Sequence, residues 1–140
     1  MSVDAIVIER IEIDSDLSNL SIIESLIDKL CVSIHMNEDL YGNVLISVTE
    51  AFNNAVIHGN LLVHTQKVLL EVFEDDFSFS FKISDSGVGF NFLDIPDPTS
   101  PENLEKENGR GIFLIKNLSD DVSFTNNGAT IIIKFNKNHD

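Results

Sequence analysis

The sequence predicts an α+β fold, a two-layer sandwich in which a mixed, mostly antiparallel sheet carries helices on one face. Two long segments near the N-terminus repeat apolar residues at helical spacing. Residues 67–85 and 122–136 each hold two strand-like segments around a turn. Because these strands follow one another in pairs, the order indicates hairpins rather than a parallel sheet built from alternating strands and helices.

The composition is that of a folded protein with a large negative charge. Of the 140 residues, 43% are apolar and ten are Phe, which is ample for a hydrophobic core. Nine basic and 23 acidic side chains give a net charge of −14, which argues against nucleic acid or an anionic membrane surface as a partner. We expect a single domain over residues 1–140.

Cysteine content and hydropathy predict a cytoplasmic protein. Cys31 is the single cysteine, so an internal disulfide is excluded, as is usual in a reducing compartment. No apolar run approaches the length of a membrane span. Residues 1–10 also lack the basic-then-apolar order of a signal peptide.

The N-terminal half predicts one strand and two helices. Residues 5–13 are rich in isoleucine and carry charges, which suits a strand at the edge of the sheet. A first helix is expected over residues 16–35. The second should begin after Asn37 as N-cap and end at Gly59, where a left-handed residue is favoured.

The C-terminal half predicts two hairpins separated by a long loop and a helix. Strands are expected at 67–74 and 77–85 and at 122–125 and 129–136, with a helix over 109–118. The intervening loop contains all three prolines. A structureless loop of that length inside a compact domain is uncommon and is usually functional.

A carboxylate ends the second strand of the first hairpin on its buried side. Alternation predicts that one set of side chains faces inward: Phe77, Phe79, Phe81 and Ile83. Asp85 has the same parity, and an inward carboxylate is costly unless donors reach it. Asp85 therefore either caps a turn or accepts a hydrogen bond from an amine on a flat ligand. In the second case Gly87 and Gly89 would let the backbone come close to that ligand, because they have no side chains.

Two further groups of polar or small residues could carry chemistry. Glu50, Asn54 and His58 are spaced by four and form one line along the second helix, which alone reads equally well as a solvated edge. Gly109 and Gly111 flank Arg110 at a predicted helix start, where N–H groups and the helix dipole favour an anion. That segment alone could also be a hinge ahead of a core helix.

Taken together and in their order along the chain, these motifs resemble those of the GHKL ATPase superfamily. The ATP-binding domain of that superfamily has the Bergerat, or histidine-kinase-like, fold. Residues 50–54 (EAFNN) resemble its asparagine box, and residues 85–90 (DSGVGF) and 109–114 (GRGIFL) resemble its two glycine boxes. The loop at about 91–108 resembles the ATP lid. Within the superfamily the whole chain is most similar to bacterial anti-sigma-factor serine/threonine kinases.

The resemblance implies a role for each matched residue. Asn54 would coordinate Mg²⁺ bridging the ATP phosphates, Asp85 would accept from the adenine amino group, and Glu50 would be the general base. The remaining cofactor-binding positions would shape the pocket and lid or reach the phosphates: Gly87, Gly89, Gly109, Arg110 and Gly111. His58 has a counterpart in many relatives and equally fits an ordinary surface helix position.

One position departs from the family pattern. The family commonly has Gly-Thr at the start of the last strand, and that threonine helps to hold the adenine-binding aspartate. Here the pair is Gly128-Ala129, and strand parity predicts that Thr130 points away. One hydrogen bond near the base is then missing, which is worth on the order of 1 kcal/mol.

The resemblance implies a Mg-ATP-dependent protein kinase that takes part in transcription regulation. It would phosphorylate an anti-anti-sigma protein of the STAS type and regulate a sigma factor by partner switching. The resemblance also allows for a homodimer. The alternative is a nucleotide-gated interaction module with little or no kinase activity, in which ATP only orders the lid.

Overall fold

An antiparallel sheet with helices on one face makes up the part of the chain that the computed structural model describes, residues 5–33, 36–86 and 107–137. The strands lie in the order β1-β2-β3-β5-β4. They are β1 (Ile6–Asp14), β2 (Lys67–Glu74), β3 (Ser78–Ser84), β4 (Asp121–Thr125) and β5 (Thr130–Asn136). The helices are α1 (Leu20–Ser33), α2 (Glu38–Asn54) and α3 (Glu107–Leu118). The predicted α+β sandwich is confirmed, and every strand pair within the described residues is antiparallel.

The core lies between the helices and one face of the sheet. On β3 and β5 the buried apolar side chains occupy every second position: Phe79, Phe81 and Ile83 on β3, and Ile131, Ile133 and Phe135 on β5. The rings of Phe79, Phe81 and Phe135 have centroids 6.0 Å apart in each pair. Because burying one such side chain contributes about 1.5–3 kcal/mol, this alternation determines which face the helices cover.

Polar side chains cap α2 and the 3₁₀ turn that precedes α1. The side chain of Asn37 accepts a 2.8 Å hydrogen bond from the backbone N–H of Leu40, so the predicted N-cap of α2 is confirmed. Asp16 caps a short 3₁₀ turn rather than α1 itself, which begins at Leu20. Over the described ranges, no helix combines the length and apolar character needed to cross a bilayer.

The end of α2 differs from the prediction. The helix continues through a π-helical turn, Ala55–Gly59, and the φ angle of Gly59 is not positive. The left-handed residues are Leu61 and Leu62 instead, with φ of 51° and 60°. The prediction of Gly59 as a left-handed cap was therefore wrong, because the wider π turn delays the reversal of the chain by two residues.

The inward position predicted for Phe77 was also wrong. Its side chain is 72% exposed, and β3 begins one residue later at Ser78. The reason is the turn before it, since Asp75 Oδ1 accepts hydrogen bonds from the backbone N–H groups of both Phe77 and Ser78, each at 2.8 Å. These bonds extend the turn through Phe77 and leave its ring in solvent.

The turn at Asp75 should make the β2–β3 hairpin sensitive to acid. The hydrogen bonds from the Phe77 and Ser78 N–H groups hold the pKa of the Asp75 carboxyl below its usual range. A lowered folded-state pKa gives stabilisation that is complete above the unfolded value, about 3.9, and is lost as pH falls through the folded value. We expect Asp75→Asn to flatten the loss of unfolding free energy between about pH 5 and pH 2, measured by urea denaturation.

Asp76→Asn is the matched control for this prediction. It removes one acidic side chain from the same turn without removing the carboxylate that accepts these hydrogen bonds, so the wild-type acid dependence should persist. If Asp75→Asn also keeps the wild-type acid dependence, the Asp75 hydrogen bonds do not contribute to stability as described.

Candidate functional site

A cleft opens between α2, the start of α3 and the ends of the central strands. It encloses about 360 Å³ of space, which includes its open mouth, and its walls stand close together. Its lining is mostly apolar and includes one side-chain amide and one carboxylate. The lining residues are Ala51, Asn54, Ala55, Gly59, Ile83, Asp85, Ile112, Phe124, Gly128, Ala129 and Ile131.

Asp85 projects into this cleft from the end of β3. Its backbone N–H donates a 2.9 Å hydrogen bond to the carbonyl of Ala129, which continues the β3–β5 pairing one residue beyond the strand. Ile83, two residues earlier, is buried and lines the same cleft. The parity argument thus predicted the direction of this carboxylate correctly.

Gly59 provides the space that the Asp85 carboxylate occupies. A Cβ added to Gly59 would lie 2.2 Å from Oδ2 and 2.3 Å from Cγ of Asp85. Real Cβ atoms do not approach other atoms so closely, so any side chain at this position would displace the carboxylate. From the sequence, Gly59 was assigned only to the end of the helix, and its close approach to the Asp85 carboxylate was not predicted.

The chemistry of the cleft suits a flat ring that carries an amine. Ile112 and Phe124 contribute apolar side chains to the lining that also includes the Asp85 carboxylate. Apolar walls favour a planar heterocycle, and a carboxylate in such a setting selects a donor over an acceptor. Neither Ile112 nor Phe124 was singled out from the sequence as a site residue, since both read as ordinary core positions.

Glu50 and Asn54 lie together on α2, facing the start of α3. A Cβ added to Gly111 would lie 2.8 Å from Oε2 of Glu50 and 3.4 Å from Nδ2 of Asn54. The missing side chain at position 111 therefore leaves the space that the Glu50 carboxylate occupies between the two helices. Three residues predicted separately as site residues are thus brought to one place.

The other predicted residues are divided between the helix start and the undescribed segment. Gly109 and Arg110 lie in the first turn of α3, which begins at Glu107, two residues before the predicted start, and Arg110 is exposed. Gly87 and Gly89 lie outside the described residues, as does most of the predicted lid at 91–108.

His58 does not join Glu50 and Asn54 at the cleft. Its side chain is exposed, and it is not one of the described residues that line the cleft. The π turn changes the residue spacing after Asn54, so the line predicted at four-residue steps is broken there.

The first residues of β5 are oriented as their parity predicts. Ala129 lines the cleft, and Thr130 is buried on the opposite side of the strand. The Thr130 hydroxyl donates to Ser84 Oγ at 3.1 Å and accepts from Asn126 Nδ2 at 3.1 Å. Thr130 therefore stabilises the pairing of β3 with β5 on the face of the sheet away from the cleft, and it does not contribute to the cleft lining.

Comparison with known proteins identifies the family of this chain. Residues 13–135 match the histidine kinase-like ATPase domain family. The chain belongs to that family. It is 29% identical over 96 residues to the serine-protein kinase RsbW of Bacillus mycoides, a match that covers 63% of this chain and 59% of the relative. The crystal structure of the RsbU and RsbW domains of a Mycobacterium tuberculosis protein aligns with a TM-score of 0.58 at 10% identity, over 91% of this chain and 30% of that one.

The family assignment confirms the resemblance to GHKL ATPases that was drawn from the three motifs. At 10% identity the structural neighbour shows the histidine kinase-like fold alone. The chain spans less than two thirds of the length of the RsbW relative. ATP binding is thus the property that membership of an ATPase domain family implies for this cleft.

The described side chains of this ATPase domain would bind a hard cation such as Mg²⁺ only together with a bound nucleotide. Across the described residues, no cluster of three or more His, Cys, Asp or Glu side chains could hold a metal ion. Asn54, which lines the cleft, nevertheless offers an amide oxygen of the kind that Mg²⁺ accepts. Because Mg²⁺ usually takes one or two protein ligands and completes its shell with phosphate and water, Asn54 fits a nucleotide-bound ion as its protein ligand.

Proposed function

We propose that this protein is a Mg-ATP-dependent serine/threonine kinase that acts on a protein substrate. The observation that carries the proposal is the meeting of Glu50 and Asn54 at Gly111, beside a cleft into which Asp85 projects. A nucleotide with its base against Asp85 and its phosphates toward Asn54 would place the γ-phosphate near a carboxylate. A pure nucleotide binder has no need for that carboxylate.

In the proposed reaction each residue has one task. Asp85 would accept a hydrogen bond from the adenine amino group, and Asn54 would ligate a Mg²⁺ ion that neutralises phosphate charge when it is bound. Glu50 takes the proton of the attacking serine hydroxyl. A bond forms between the serine oxygen and the γ-phosphorus, the bond from that phosphorus to the β–γ bridging oxygen breaks, and ADP leaves.

The positively charged and glycine positions support binding of the phosphates. Arg110 is an exposed guanidinium at the start of α3, in a chain with nine basic residues. It would reach the phosphates, where the helix start also favours negative charge. Gly87, Gly89 and Gly109 would shape the pocket and the lid at about 91–108.

The proposed substrate is an anti-anti-sigma protein of the STAS type, with a sigma factor as the competing partner in the cytoplasm. The similarity to a serine-protein kinase named RsbW supports this assignment. Phosphorylation adds nearly two negative charges to the substrate. Because this protein carries a net charge of −14, the phosphorylated partner should be repelled and the sigma factor bound in its place. A homodimer is the proposed form of the kinase.

A nucleotide-gated interaction module with little turnover is the second candidate. The observation that favours it is the orientation of Thr130, which contacts Ser84 and Asn126 and not the cleft. One fewer hydrogen bond near the adenine-binding carboxylate weakens nucleotide binding and thereby turnover.

Label transfer from γ-labelled ATP separates the two candidates. The purified protein is mixed with Mg²⁺, the labelled nucleotide and a STAS-domain protein from the same genome. We expect label on a serine or threonine of the STAS protein, and no transfer when a chelator removes Mg²⁺. Nucleotide binding without transfer would favour the gated module, and wild-type ATP affinity in Asp85→Asn would refute the site altogether.

A further inference from the structure

Asn60, the residue after the π turn, is buried at the centre of a small polar network. It is 3% exposed. Its Nδ2 donates to Ser15 Oγ at 2.7 Å and to the carbonyl of Lys67 at 3.1 Å. Its Oδ1 accepts from the backbone N–H of Ser86 at 2.8 Å. A buried amide with both ends bonded is costly to replace, because each lost partner leaves a desolvated polar group.

The network joins the two segments that meet at the Asp85 carboxylate. Asn60 follows Gly59 in the chain, and Ser86 follows Asp85. The Asn60–Ser86 hydrogen bond therefore joins the same two segments as the close approach of Gly59 to Asp85, one residue further along each segment. Ser86 is tied a second time, since its hydroxyl donates to the Lys67 carbonyl at 3.1 Å. We propose that Asn60 is a positioning residue that fixes the Asp85 carboxylate in the cleft.

The backbone around Asn60 supports this role. The N–H of Asn60 donates to the carbonyl of Ala55 at 2.7 Å, which closes the π turn. The next two residues, Leu61 and Leu62, are exposed and yet left-handed. Backbone hydrogen bonds hold this conformation, since the Leu62 N–H donates to the Val56 carbonyl at 2.8 Å and the Val63 N–H donates to the Asn60 carbonyl at 2.9 Å. Asn60 thus takes part in this turn through its backbone and in the buried network through its side chain.

The test uses base discrimination, which a merely structural role would not change selectively. ATP affinity is compared with that of purine riboside triphosphate, which lacks the 6-amino group, by calorimetry on the full chain. The wild type should prefer ATP. In Asn60→Ala the preference should fall by about tenfold, because a loosened Asp85 no longer selects the amine.

Two further variants separate positioning from general stability. Ser15→Ala removes the Nδ2 acceptor on the far side of the network, so it should lower thermal stability and keep the preference for ATP. Asn60→Asp keeps an acceptor for the Ser86 N–H but sets a second oxygen against the Lys67 carbonyl, so it should lower thermal stability while it keeps most of the preference for ATP. Its added charge affects both triphosphates equally and cancels in the ratio.

The outcomes also distinguish this inference from the proposed function on which it rests. A wild type that binds neither nucleotide refutes the nucleotide site, and the positioning role with it. A wild type that binds both equally refutes the role of Asp85 in reading the base. A wild-type preference that survives in Asn60→Ala, or that is lost as severely in Ser15→Ala or Asn60→Asp, refutes positioning by Asn60 alone. If Asn60→Ala fails to fold, Asn60→Ser decides: it keeps a hydroxyl for the buried network but is one atom shorter and loses the acceptor of the Ser86 N–H, so its preference for ATP should fall, and an unchanged preference refutes the positioning role.

Discussion

Gly59→Ala is expected to abolish tight nucleotide binding while leaving the protein folded. The added Cβ would lie 2.2 Å from Oδ2 and 2.8 Å from Oδ1 of Asp85. These atoms end a side chain that can rotate away, whereas the Asp85 backbone stays bonded to Ala129 at 2.9 Å. A displaced carboxylate no longer faces the base, so ATP affinity measured by calorimetry should fall by at least about tenfold.

Gly42→Ala is the matched control on the same helix. No atom lies within 4 Å of a Cβ added there. Alanine is the better helix former, so Gly42→Ala should raise the free energy of unfolding by about 0.5–1 kcal/mol and leave ATP affinity unchanged.

A double-mutant cycle tests whether Gly59 acts through Asp85. Asp85→Asn alone should weaken ATP binding, and adding Gly59→Ala to it should cost little more, because the group that the methyl displaces has already lost its function. Fully additive losses would mean that Gly59→Ala acts by another route. Wild-type affinity in Gly59→Ala would show that the carboxylate takes no part in binding.

Glu50→Gln is expected to stop phosphoryl transfer without weakening nucleotide binding. Glutamine keeps the size of the side chain but has little basicity, and loss of a general base typically costs about 10²–10⁴-fold in rate. Within the described residues Glu50 lies beside the cleft lining rather than in it. The rate of label transfer to the STAS protein should therefore fall while ATP affinity does not.

Gly111→Ala provides an independent test of the same carboxylate. Its Cβ would lie 2.8 Å from Oε2 of Glu50 and 3.7 Å from Oδ1 of Asn54, so Glu50 must move further than Asn54. Transfer should fall more than ATP affinity, and Gly42→Ala again serves as the control. Rapid transfer in Glu50→Gln would assign the base to another group or remove the need for one.

The features predicted well from the sequence are those that depend on neighbouring residues. Alternation along β3 predicted the inward direction of Asp85, and parity in β5 predicted that Thr130 turns away from the cleft. Asn37 was recognised as the cap of α2 because a cap bonds to a residue three positions on. Local periodicity carries such information, since each side chain's direction follows from its place in the repeat.

The errors occurred where a distant or unusual contact overrides the local pattern. Phe77 continued the alternation but is held in the turn by hydrogen bonds from its own and the next N–H to Asp75. Glycine is the commonest residue in the left-handed position after a helix, which is why the sequence predicts a cap at Gly59. The chain instead forms a π turn and reverses at Leu61.

The sequence by itself determined the α+β sandwich, its helix and strand order and the three motifs that mark a histidine kinase-like ATPase domain. Those properties follow from period, turn residues and short motifs. Only the tertiary structure decided that Gly59 makes room for Asp85, that Gly111 makes room for Glu50, and that Asn60 joins Ser15 to Ser86. The residues of each pair are far apart in the chain. The position of a glycine in the sequence does not reveal which distant side chain will occupy the space beside it.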